Sequence, residues 1–171
     1  MKWINHQIVT GFIVYAATDN ALCVASSIVG AVIPDRVEGS PPREKNAYWA
    51  WRRRHRTWSH YPVIYLALIG LIFFAKDYLR LLDATFTPTA TLALDVLTYV
   101  LIGALLHIVE DGLCGKVPIF APHSKHGLKL FTVGSWREYV FSTIVILICL
   151  ASRLDNLDEL LRAASTGIIN R

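Results

Sequence analysis

The stretch "WRRRHRTWSHYPVIYLALIGLIFFAK", residues 51–76, decides how the rest of the chain is read. Its opening, residues 51–62, holds four arginines, two histidines and two tryptophans. From Tyr61 to Ala75 it carries no charge. Such a run, extended by Lys76 and Arg80 whose stems can lie along lipid, reads as a membrane helix with a basic collar at its mouth. The collar accounts for the arginines. It does not account for His55 and His60, whose purpose depends on what else reaches that end of the helix.

Composition agrees with a membrane setting. The chain has 171 residues, of which 54% are hydrophobic and 18% charged, and its mean hydropathy is +0.42. That is more apolar than an ordinary soluble domain. The net charge of +4 and pI near 9.1 would suggest nucleic acid in a soluble protein. Here the basic residues sit in loops beside apolar runs, where they set topology and meet anionic lipid, so no nucleic-acid partner is expected. Cys23, Cys114 and Cys149 show no paired spacing, so no disulfide framework is expected. Ile8 to Ala17 is preceded only by Lys2 and lacks a clean cleavage site, so it is not read as a leader.

Four more apolar stretches flank the deciding one: Ile8 to Ala17, Ala21 to Ile33, Leu92 to His107, and Tyr139 to Leu150. The first two are shorter than the ~20 residues of a spanning helix. Asp19-Asn20 separates them, either buried in one tilted helix or placed at the turn of a short hairpin. The hairpin is the expectation, because burying both polar residues in lipid is costly. Pro88 and its neighbouring threonines suit the entry to the fourth stretch. Ser135 and Glu138 stand at capping-box spacing, which predicts a helix from Trp136. The tail, 153–171, opens "RLDNLDELLRAA" and reads as an amphipathic surface helix. The expected fold is all-α: a single polytopic membrane bundle with an N-terminal helical hairpin and about three further transmembrane helices.

Orientation follows from lysine and arginine in short loops. Arg36 to His60 carries seven of them, Asp111 to Arg137 carries four, and the intervening connection holds Lys76 and Arg80. Both basic loops are therefore expected on the cytoplasmic side, which brings distant polar clusters to one face.

Those clusters contain metal-ligating residue types. His107 and Asp111 lie at i and i+4 on one helical face, with Glu110 as a substitute carboxylate. The alternative is a plain hydrogen bond satisfying a buried ring. Asp35 and Glu38 follow the second stretch, and His6 precedes the first; a hairpin would bring His6 and Asp35 together. With His55 and His60 this gives a nitrogen and oxygen donor set without paired cysteines, pointing to zinc, manganese or iron. His55 and His60 are five apart and do not share a regular helical face, so one of them stands behind the other. Arg52, Arg53, Arg54 and Arg56 either hold an anionic head group or form the collar alone. The tryptophans read as interfacial anchors. His123 and His126 read as surface residues, and Cys114 is not expected to ligate.

In order and spacing, His6, Pro34-Asp35, "HRTWSH" (55–60), "HIVEDGLCGKVPIFAP" (107–122) and "VGSWRE" (133–138) resemble the membrane-bound metal-dependent hydrolase family typified by YdjM. The likeness runs to about Phe141. It implies a bacterial inner-membrane hydrolase facing the cytoplasm, similar in helical fold to zinc phospholipases of the C type. Catalysis would then fall to Asp35, His60, His107 and Asp111, with His6, His55 and Glu38 as further ligands and a lipid phosphoester as substrate. Many members read Pro-Asp-x-Asp-His, where this chain has Val37, which cannot ligate, followed by Glu38. Fold alone does not fix function, and a structural or sensory metal site, or a partner-docking site, is the alternative.

Overall fold

The computed structural model describes the backbone of residues 1–81 and 88–169, with side chains except at 79, 80, 88 and 155–169. Its elements are α1 (Trp3–Thr18), α2 (Ala21–Gly30), α3 (Ile33–Glu38), α4 (Lys45–Arg54), a 3-10 turn (Trp58–His60), α5 (Pro62–Leu81), α6 (Pro88–Cys114), β1 (Val117–Ala121), β2 (Ser124–His126) and α7 (Trp136–Ile169).

The chain reverses at Asp19-Asn20, as expected. Asp19 adopts a left-handed φ of 51° and its N–H closes on the Tyr15 carbonyl. Asn20 then caps α2, its Oδ1 accepting from the N–H groups of Leu22 (2.9 Å) and Cys23 (3.3 Å). Arg153 of α7 pairs with Asp19 at 2.7 Å. The polar turn is thus satisfied at the end of the bundle opposite the histidines.

Small residues set the central packing. A Cβ on Gly103 of α6 would overlap the Ser27 carbonyl of α2, and one on Gly30 would overlap the Val100 carbonyl. The two backbones approach until only glycine fits, a mode of contact common where lipid removes the usual hydrophobic drive between helices. α5 runs alongside α6, with Tyr65, Ile72, Leu101, Ala104 and Ile108 buried between them. Further along the same pair, Lys76 meets Asp95 at 2.5 Å.

Among the described residues, two stretches, Lys45–Tyr78 and Thr89–Cys114, contain a helix long and apolar enough to cross a membrane. Beside the apolar core, several polar groups are fully buried: His6, His60, His107, Asp111 and Glu138 are among the largest fully buried side chains. Leu66, Leu71, Phe74 and Ile148 are exposed.

Three expectations need correction. The chain is mostly helical but not all-α, because residues 117–126 form an antiparallel β-hairpin pairing Val117 with His126 and Pro118 with Lys125. The segment leaving it closes the end of α6: Leu128 and Leu130 N–H donate to the Gly112 and Leu113 carbonyls (2.9 and 2.8 Å), which lack helical partners there. The stretch from Arg36 to His60 is not an open loop, since it holds α3, α4 and the 3-10 turn. α4 forms because Glu44 caps it, accepting from Asn46 and Ala47 N–H, while Arg52, Arg53 and Arg54 complement its C-terminal dipole. Finally, the fifth stretch and the tail form one helix, α7. The amphipathic reading of the tail rests on side chains beyond Leu154, outside the described residues.

α7 starts at Trp136 as expected, but the expected capping box does not form: the Ser135 hydroxyl has no hydrogen-bond partner, and Glu138 turns to other donors. Wholly buried, it accepts from Gly134 N–H (2.5 Å), from Lys2 N–H (2.8 Å) and from the Asn5 side-chain amide. The start of α1 is thereby tied to the start of α7.

Candidate metal centre

Four helix ends converge on one buried point. α5 begins just after His60, α6 ends with His107 and Asp111, α3 supplies Asp35, and α1 brings His6 alongside. The donor atoms of Asp35, His60, His107 and Asp111 all lie within 4.8 Å of one another. His60 Nε2 is 3.4 Å from Asp35 Oδ1 and 3.5 Å from Asp111 Oδ2. His107 Nε2 is 3.7 and 3.6 Å from the same two oxygens. A tetrahedron with metal–ligand bonds of 2.0–2.2 Å has edges of about 3.3–3.6 Å, so this spacing fits a single ion.

The hydrogen bonding points the same way. Asp35 Oδ1, His60 Nε2, His107 Nε2 and Asp111 Oδ2 are all buried without a hydrogen-bond partner. Buried polar atoms are normally partnered, and four orphans facing one point require an explanation. The opposite atom of each side chain is occupied. Asp35 Oδ2 accepts from Trp3 Nε1 at 2.7 Å. His107 Nδ1 must donate to the Ala31 carbonyl at 2.6 Å, since a carbonyl only accepts, and this leaves the Nε2 lone pair facing the cluster. His60 Nδ1 sits 3.2 Å from Glu38 Oε1, and Asp111 Oδ1 takes the Met1 ammonium at 2.9 Å. Fixing the far ring nitrogen in this way orients histidine ligands. The two carboxylates bring negative charge to the point, part of it shared with the Met1 ammonium and the Arg56 guanidinium that pair with Asp111. The residues therefore fit a divalent metal ion.

The remaining proposed ligands stand behind this group. His6 is fully buried and lies against His107, with ring centroids 4.0 Å apart and the planes tilted by 32°. Its Nδ1 meets Glu110 Oε2 at 2.6 Å, and its unpartnered Nε2 lies 3.3 Å from Asp111 Oδ1. Glu110, also held by Thr10 at 3.2 Å, supports His6 and does not replace Asp111. Glu38 does not take the place vacated at Val37. It lies on the far side of His60, where it also accepts from the Ser59 hydroxyl, the Arg56 N–H (2.7 Å) and His55 Nδ1. His55 is thereby held away from the cluster, stacked on Trp51. Cys114 Sγ lies 3.1 Å from the Met1 ammonium, outside the four.

Electrostatics favour ionised carboxylates on α3. Burial raises the Asp35 pKa, but the neighbouring His107 and His60 outweigh it and hold the acid well below the usual carboxylate range. Burial likewise works against Glu38, and hydrogen bonds from His55, His60 and Ser59 bring it below its ordinary value.

The four arginines separate. Arg52, Arg53 and Arg54 are exposed on the last turn of α4. Arg54 also lines a cavity of about 300 Å³ with Trp51, Trp58 and Glu38. Arg56 turns inward, its Nη2 2.7 Å from Asp111 Oδ2. His123 and His126 lie at the β-hairpin, facing Trp58 and Phe120, away from the cluster. Sequence reasoning missed the supporting roles of Trp3, Ser59 and the Ala31 carbonyl, because each depends on how the polypeptide folds back between distant segments. The only available hint was the i, i+3 spacing of Asp35 and Glu38 on a short helix.

No family model, curated protein or solved structure matches the chain.

Proposed function

We propose that the chain is a membrane-embedded hydrolase acting on a phosphoester of a lipid, with one divalent ion, zinc foremost, held by Asp35, His60, His107 and Asp111. The observation that carries the metal is the convergence of four buried, unpartnered donor atoms. When bound, such an ion supplies Lewis acidity and lowers the pKa of a water to ~7.

The chain's own residues supply position and access. Glu38 and the Ala31 carbonyl hold His60 and His107, and Trp3 holds Asp35. Of the four, the Asp35 side chain is 17% exposed and the others at most 1%, so the open side lies at α3. The membrane setting is supported by the apolar windows of the two candidate spans, only 17% and 28% buried, where a soluble core helix would be mostly covered. The lysine and arginine bias favours the cytoplasmic face for the cluster, and the family resemblance favours a bacterial inner membrane. Exposed Arg52, Arg53 and Arg54 suit anionic lipid head groups.

One observation favours a second reading. Four protein donors is the number found in structural zinc sites, whereas catalytic sites usually keep one position open. The test is metal analysis of the purified protein beside a screen of lipid phosphoesters. Stoichiometric metal with metal-dependent turnover supports the hydrolase, and stoichiometric metal without turnover supports the structural or sensory site. Absence of metal overturns both.

A further inference from the structure

We infer that Arg56 is the oxyanion-binding residue of this centre, receiving a phosphoryl oxygen on the Nε–Nη2 edge of its guanidinium; this rests on the metal-site reading above.

Three observations carry it. First, the backbone at Arg56 is held in an unusual conformation. Its φ is 56°, a left-handed value that non-glycine residues rarely adopt and that tends to mark functional sites. Partners on both sides hold it: Arg56 N–H donates to Glu38 Oε1 at 2.7 Å, and Lys125 Nζ donates to the His55 carbonyl at 2.5 Å. The carboxylate that orients His60 thus also sets Arg56.

Second, the fold makes room for the guanidinium. Arg56 Nη1 lies against Gly115, where a Cβ would come within 2.5 Å of it. The side chain is 19% exposed, whereas Arg52, Arg53 and Arg54 face outward.

Third, the guanidinium has an unmet donor beside the cluster. Nη2 is 2.7 Å from Asp111 Oδ2, yet that oxygen has no aligned hydrogen bond. Arg56 Nε is buried without any acceptor. Nε and Nη2 form one edge of a planar fork that matches two-point recognition of phosphate. Asp111 Oδ2 belongs to the donor set, so an oxyanion on this edge lies next to the ion. A tetrahedral phosphoryl group has oxygens enough to face both the guanidinium and the ion, and the buried N–H gains its missing acceptor.

The phosphoryl group could belong to free phosphate or to a lipid head group, and the experiment separates them. Full-length protein in detergent is loaded with zinc and its zinc content measured. Binding of inorganic phosphate, and of phosphatidate in mixed micelles, is then titrated for wild type and Arg56→Ala. The expected result is a loss of about 10- to 100-fold in affinity in Arg56→Ala at unchanged zinc content. Loss for both probes assigns the site to phosphate generally, and loss for phosphatidate alone assigns it to the lipid. Unchanged affinity for both, with zinc retained, overturns the inference while leaving the metal site standing. A wild type that binds no zinc overturns both. If Arg56→Ala does not fold, Gly115→Ala keeps every charge and displaces the guanidinium; the same loss is expected, and wild-type affinity overturns the proposal.

Discussion

His60 is where residue chemistry and backbone meet. It precedes Tyr61-Pro62, and proline restricts the residue before it, so the chain enters α5 on a fixed path. Its ring is fully buried, with Glu38 and Ser59 on one nitrogen and the cluster on the other. His60→Ala removes a donor and, because the ring is fully buried, also leaves a cavity. The expected outcome is loss of bound metal from a protein that still inserts and folds, read by metal content after purification. Arg53→Ala should keep its metal, because that side chain is exposed and arginine is a poor ligand. Glu38→Gln preserves shape but removes the charge behind His60, and should weaken metal affinity by about 10- to 100-fold, measured by chelator competition. The four cluster residues were legible as candidates: His107 and Asp111 from helical spacing, Asp35 and His60 from their places at helix ends. The division between Asp35 and Glu38 was not. Both are carboxylates on one short helix, and only the path of residues 55–60 around Glu38 decides which faces the cluster.

At the scale of elements, the α2–α6 contact governs the centre. Gly30 and Gly103 bring the backbones together, and that approach places the Ala31 carbonyl on His107 and leads into α3 with Asp35. Gly103→Ala would force the helices apart, since its Cβ meets backbone that cannot rotate away. A destabilisation of about 1–3 kcal/mol is expected, read from thermal unfolding in detergent, with weakened metal binding beside it. The apolar helices and the turn at Asp19-Asn20 were readable from runs of hydrophobic residues and their interruption. The β-hairpin was not, because its strands are five and three residues long and Pro118 interrupts the usual signal. α4 was hidden for a different reason: its arginines made the segment read as an open basic loop, and its cap, Glu44, is not one of the residue types that usually mark a helix start.

At the scale of the molecule, a polar centre at one end of an apolar bundle implies a definite orientation. Cysteines introduced at exposed Ser40 and Ser124 should label from the cytoplasmic side with an impermeant maleimide, and one at exposed Thr91 from the other. A split between positions 40 and 124 would contradict the shared face. The clamp at Glu138 bears on how such a protein is made. Lys2 is tied to a residue 136 positions downstream, and Asn5 to the same carboxylate. During synthesis this tie therefore cannot form until most of the chain has left the ribosome. His6 finds its partners Glu110 and Asp111 on α6, and the clamp on α7 is added to that hold as the last step of assembly.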